Sequence, residues 1–114
     1  MDSYRIPYMK NKTIKQLETR IAQIKNEIVG LGDIRPGALS EQVRTCRGKT
    51  YGTSWSLNYT FKGRHHTDYV AARALESVQG EVANFKRLRE LIEEWTELAI
   101  ELSKLRIQVA RDNS

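Results

Sequence analysis

Few side chains in this 114-residue sequence have the types that catalysis or metal binding requires, and their spacing argues against both. Cys46 is the only cysteine. To act as a thiol nucleophile or a metal ligand it would need His65 and Asp68 to converge on it. His65 and His66 are neighbours in an expected strand, so their side chains point to opposite faces and cannot share one ion. A structural zinc needs four ligands, and one thiol does not supply them. Glu90, Glu93, Glu94, Glu97 and Glu101 recur along a helix, where salt bridges and solvation account for them. Arg47-Gly-Lys-Thr50 carries the end of a phosphate-binding loop. It lacks the first glycine of G-x-x-x-x-G-K-[ST], and no helix follows directly, so a nucleotide site is rejected. The expectation is a non-catalytic protein with no metal and no cofactor.

The basic residues form a more coherent set. The chain has 19 Lys/Arg against 14 Asp/Glu, a net charge of +5. Residues 35–73 alone carry a balance of +5, because seven cations there face only Glu41 and Asp68. A local basic surface points to a polyanionic partner more strongly than evenly spread charge. Arg44, Arg47 and Lys49 lie on an expected strand and loop, Lys62 and Arg64 flank an expected turn, and Lys86, Arg87 and Arg89 form a run on a helix. These eight are the candidate nucleic-acid contacts. Two-stranded ribbons enter major grooves, and aromatic rings such as Tyr51 stack on unpaired bases. Trp55 and Tyr59 alternate at period two and are read instead as packing residues.

Two helical seams and one period-two segment must position that set. Thr13-Ile-Lys-Gln16 fits a capping box. Ile14, Leu17, Ile21, Ile24, Ile28 and Leu31 then alternate at threes and fours, giving a helix over 13–30 after an arm at 1–10. Gly30 to Gly37 reads as cap and turn. From Glu41 to Val70 the period is two, and the segment reads as a three-stranded antiparallel meander with Gly48–Gly52 as a loop. A three-residue bulged loop, Phe61-Lys62-Gly63, is expected, with Trp55 near Tyr69 and Leu57 near Thr67. The alternative two-residue loop would set Asp68 beside Leu57 and bury a charge. A second helix is expected over 72–110. Leu75, Val78, Val82, Phe85 and Leu88 serve its first half, and Leu91, Trp95, Leu98, Leu102, Leu105 and Val109 its second. The spacing slips near Leu88, so the second half should pair antiparallel with the first helix and the first half should receive the sheet. Gly80 should weaken or bend the helix. Leu91, Trp95, Leu98, Leu102 and Leu105 are thus the candidate packing or oligomer interface. The fold class is α+β: two long antiparallel coiled-coil-like helices flanking the meander, in one domain over 1–114. With Ile92 and Ala99 the apolar stripe is wider than a two-helix seam needs, which suggests a homodimer built as a four-helix bundle.

Composition is consistent with that reading. Hydrophobic residues are 39%, charged residues 29%, and the mean hydropathy is −0.58. No apolar run is long enough to cross a bilayer, and Met1–Pro7 has no apolar core of a secretion signal. With one cysteine, a reducing cytoplasm is the expected compartment.

Three stretches carry a resemblance. Leu31-Gly-Asp-Ile-Arg-Pro-Gly-Ala-Leu-Ser-Glu-Gln42, Leu57-Asn-Tyr-Thr-Phe-Lys-Gly-Arg64, and the helical runs Asn84-Phe-Lys-Arg-Leu-Arg-Glu-Leu91 and Glu94–Arg106 resemble a family of short bacterial and archaeal proteins of unknown function. Its members are sometimes encoded beside transposase or mobile-element genes. The likeness spans roughly residues 31–107. The family commonly has a cysteine cluster after the first strand. Here Cys46-Arg-Gly-Lys49 keeps only the first cysteine, and the loop is shortened to Thr50–Ser54. The resemblance implies a small accessory protein of a mobile element or phage. Two readings stand: a nucleic-acid-binding protein touching phosphates through its basic meander, or a helical protein-interaction module (an adaptor, inhibitor or cofactor of a larger nucleoprotein machine) without nucleic-acid contact.

Overall fold

The computed structural model describes residues 12–113, leaving aside the side chains of Arg44, Cys46, Thr50 and Tyr51. The expected arm at 1–10 lies outside the described residues. The order is α1 (Ile14–Gly30), β1 (Ala38–Cys46), β2 (Lys49–Phe61), β3 (Arg64–Val70), a 3-10 turn (Ala72–Ala74) and α2 (Leu75–Asp112). The chain is therefore α+β with a helix, a three-stranded antiparallel sheet and a long helix. α2 runs unbroken through Gly80. The described residues gather into two compact units, Leu31–Arg89 and the helical segments 12–30 with 90–113. The border falls where the apolar spacing of α2 slips.

In the helical unit the capping box forms as its residue types require. Thr13 N–H donates to Gln16 Oε1 at 2.9 Å, and Gln16 N–H donates to Thr13 Oγ1 at 3.1 Å. Two of the four amides that a helix start leaves open are thereby satisfied. Leu17, Ile21 and Ile24 of α1 and Leu91, Leu98 and Leu102 of α2 are all buried. Cross-strand ties between the two helices fix their antiparallel sense. Glu18 accepts from Arg106 at 2.5 Å, and Lys25 Nζ stands 5.3 Å over the Trp95 ring. Arg20 grips Glu94 through two parallel bonds of 2.8 Å, the fork geometry that makes an arginine–carboxylate pair directional.

In the sheet unit the strand order is β1-β2-β3. Three expectations are corrected here. Phe61 pairs with Arg64, so the second hairpin closes through the two-residue turn Lys62-Gly63 and sets Trp55 opposite Val70 and Leu57 opposite Asp68. Lys62 at φ 52 and Gly63 at φ 78 are both left-handed, the turn whose twist matches that of the flanking strands. The expected bulged loop was chosen to keep Asp68 from being buried. Asp68 is not buried: its side chain is 47% exposed and is ion-paired with Arg35. The second correction concerns Gly48–Gly52. Cys46 pairs with Lys49 across a two-residue turn of the same kind, Arg47 at φ 55 and Gly48 at φ 78, and β2 begins at Lys49. β1 also starts earlier than expected, at Ala38.

This register sorts the strands into two faces. Trp55, Leu57 and Tyr59 share a face with His66, Asp68 and Val70. Leu57 there is 1% exposed, whereas Tyr69, on the opposite face, is 81% exposed. The turn at 31–37 is tied to both the helix and the sheet. Arg35 N–H donates to the Glu81 carbonyl of α2 at 3.1 Å, and Asn84 Nδ2 donates to the Asp33 carbonyl at 2.9 Å. The Arg35 guanidinium pairs with Asp68 and lies 4.6 Å over the Tyr59 ring, which itself stacks on His66 at 4.9 Å. At Gly37 (φ +134) a Cβ would come within 2.8 Å of Leu57 Cδ1 and 3.0 Å of the Asn58 carbonyl.

Two glycines should therefore respond oppositely to alanine in urea unfolding. Gly37→Ala combines a clash with a disfavoured φ and should lower stability by about 1–3 kcal/mol. Gly80→Ala fills open space in a helix interior and should raise it by about 0.5–1 kcal/mol. Arg35→Lys keeps the charge but loses the planar group, so it should recover less than half of the stability lost in Arg35→Ala.

Candidate nucleic-acid interface

The length mismatch of the three strands creates the feature of interest. β2 has 13 residues and β3 only 7. β3 stops at Val70, opposite Trp55, while β1 and β2 continue together to the Arg47-Gly48 turn. Residues 42–54 are thus a two-stranded ribbon extending past the third strand. At ~3.3 Å per residue it reaches roughly 15–18 Å. Gln42, Val43, Thr45, Arg47, Lys49 and Thr53 are all exposed, although Gln42 and Val43 face opposite ways, so neither face of the ribbon is covered. The strands are out of step between Val43/Thr53 and Thr45/Thr50, where Tyr51 and Gly52 stand against Arg44. Gly52 takes φ 110 at this bulge. A bulge of this kind increases the local right-handed twist of a ribbon.

The ribbon carries Arg44, Arg47 and Lys49 and no Asp or Glu between Gln42 and Ser54. Arg47 and Lys49 are exposed, at or beside the tip. Arg44 lies in β1 by its backbone; its side chain, like those of Cys46 and Tyr51, lies outside the described residues.

The other candidate contacts are elsewhere. Lys62 and Arg64 sit at the opposite end of β2, which at ~3.3 Å per residue is roughly 40 Å from the ribbon tip. Both are exposed, and Lys62 Nζ lies 5.4 Å from the Phe61 ring. Lys86, Arg87 and Arg89 are on α2. Arg89 lies 6.0 Å from the Phe85 ring, and Arg87 has a partner of its own. The eight cations are spread over a ribbon tip, a distant turn and a helix. Arg35, counted in the basic segment, is occupied within the sheet unit.

His65 and His66 face opposite ways, as their adjacency requires. His66 stacks on Tyr59, and His65 is exposed on the polar face. That face is rich in hydroxyls. Ser40 and Ser56 lie 3.1 Å apart, and Thr67 Oγ1 donates to Asn58 Oδ1 at 2.7 Å. Among the described residues, no three His, Cys, Asp or Glu are placed to hold a metal ion, and no helix is long and apolar enough to cross a membrane.

Sequence reasoning missed Gln42, Thr45 and Thr53, neutral hydrogen-bonding groups exposed along the ribbon. Reading Gly48–Gly52 as a loop hid the continuous hairpin that presents them. The period-two pattern of Thr45 with Val43 was the available signal. In comparisons with known proteins, the chain matches no family model, no curated protein and no solved structure.

Proposed function

We propose that this chain is a small non-catalytic nucleic-acid-binding accessory protein that inserts its β1–β2 ribbon into the major groove of duplex DNA. The supporting observation is the ribbon itself: two strands wide, uncovered on both faces, and carrying three cations with no acid. A major groove about 12 Å wide admits a two-stranded ribbon. Arg47 and Lys49 at the tip would meet phosphate, while Thr45 and Thr53, which share the face of Val43, would face base edges. Duplex RNA has a deep, narrow major groove that side chains cannot read, so duplex DNA is the better fit. An isolated two-stranded ribbon is marginally stable in water, and binding would supply the contacts it lacks. An accessory role in a mobile element or phage belongs to the same proposal. Lys62, Arg64 and the helical cations stand outside this contact.

The exposed apolar surface around Ile92 and Ile100 favours a second reading, a helical protein-interaction module with no nucleic-acid contact. The two readings separate by anisotropy on a labelled random-sequence duplex. Three phosphate contacts give a slope of log K against log salt of roughly −2.7, and Arg47→Ala with Lys49→Ala should flatten it by about 2. Lys62→Ala with Arg64→Ala should leave affinity within about threefold, since a rim charge acts weakly at that distance. Equal losses in both pairs, or no binding at low salt, would remove the ribbon from the account.

A further inference from the structure

The α2 seam expected to serve packing or oligomerisation is already used inside one chain, because Leu91, Leu98 and Leu102 are buried. A second stripe on the same helix is left outside. Ile92, Ile100 and Ile107 are 47%, 52% and 56% exposed, at spacings of eight and seven that keep them on one side. Ala99 and Ser103 lie between them, where their small side chains permit close approach. Thr96 Oγ1 donates to the Ile92 carbonyl at 2.8 Å. Its hydroxyl is thus satisfied within the helix and its methyl is left to the surface. A groove walled by Ala22, Trp95, Ala99 and Ser103 runs alongside.

The charges flanking this stripe are polarised along the helix. Glu93 and Glu97 line its N-terminal part, and Lys104 lies on the same line seven residues beyond Glu97. Glu93 and Glu97 stand four residues apart and repel each other, so a cation brought to Glu97 from outside the helix is favourable. Turning a second copy by 180° about an axis near Ile100 brings Glu97 of each helix to Lys104 of the other. The same turn sets Ile100 against Ile100, Ile92 near Ala110, and Ala99 near Ser103. We infer that this stripe binds a second copy of the chain in an antiparallel, two-fold arrangement centred near Ile100, making a four-helix bundle. Self-complementary charge selects the second copy as occupant, since an isologous interface must match itself under the two-fold. The surface lies in the helical unit and stands independently of nucleic-acid binding.

The test uses the full chain in sedimentation equilibrium, with helicity followed by circular dichroism. The unaltered chain should dimerise at micromolar concentration. Glu97→Lys and Lys104→Glu should each weaken the dimer by about tenfold, and the double exchange should restore it to within about threefold. Both positions are exposed, so helicity should not fall. In a Cys46→Ser background, Ile92→Cys should form a disulfide when mixed with Ala110→Cys and not with itself. A chain that stays monomeric at high micromolar concentration would overturn the proposal. So would a double exchange that fails to restore association, or Ile92→Cys linking to itself.

Discussion

Arg35 is the residue on which the sheet unit turns. Its backbone N–H is given to a carbonyl of α2, and its guanidinium reaches Asp68 on β3 and the Tyr59 ring on β2. One residue in a short connecting turn thereby touches three elements. Each link alone is modest: a half-exposed ion pair contributes up to about 1 kcal/mol, and a cation–π contact a similar amount. Their combined effect is geometric. Asp68 and Tyr59 reach one guanidinium only when their side chains leave the same face of the sheet, and a shift of one residue would separate them. The Tyr59–His66 stack requires the same register.

From that register the exposed features follow. With Phe61 opposite Arg64, β3 is exhausted at Trp55, and the remainder of β1 and β2 has no third strand beside it. Tyr69 is turned outward onto a hydroxyl-rich face. The two hairpin turns, Arg47-Gly48 and Lys62-Gly63, each place a cation at a left-handed position and lie at opposite ends of β2. The basic excess of the middle segment is real, yet topology divides it. What remains together at the ribbon is a short cationic tip with neutral polar side chains behind it, a better description of a groove-reading element than of a broad electrostatic patch.

The helices were legible because their signals are local. A capping box spans four residues, and an alternation of threes and fours reports its own buried face, so α1, the long α2 and its two halves could all be read directly. The strands were legible as period-two runs. Their register was not, since the argument against a two-residue turn weighed the burial of Asp68 without Arg35, which lies 33 residues earlier and meets it only in the folded chain. The ribbon was hidden for a related reason. Gly48 and Gly52 look like loop residues, but one serves a tight turn and the other a bulge, both inside a continuous hairpin. The eight cations lie apart because sequence proximity says nothing about which end of a strand a residue occupies. The excess width of the apolar stripe on α2 was visible; which part of it stays open depended on knowing which part α1 covers.

Amide hydrogen exchange of the full chain, with and without a random-sequence duplex, tests most directly whether the ribbon is the surface that meets DNA. A free two-stranded ribbon should exchange fast. On adding duplex, residues 42–54 should slow markedly, while the Lys62-Gly63 turn and the helical seams stay unchanged. Protection confined to α2 or to that turn, with the ribbon exchanging as before, would contradict the account.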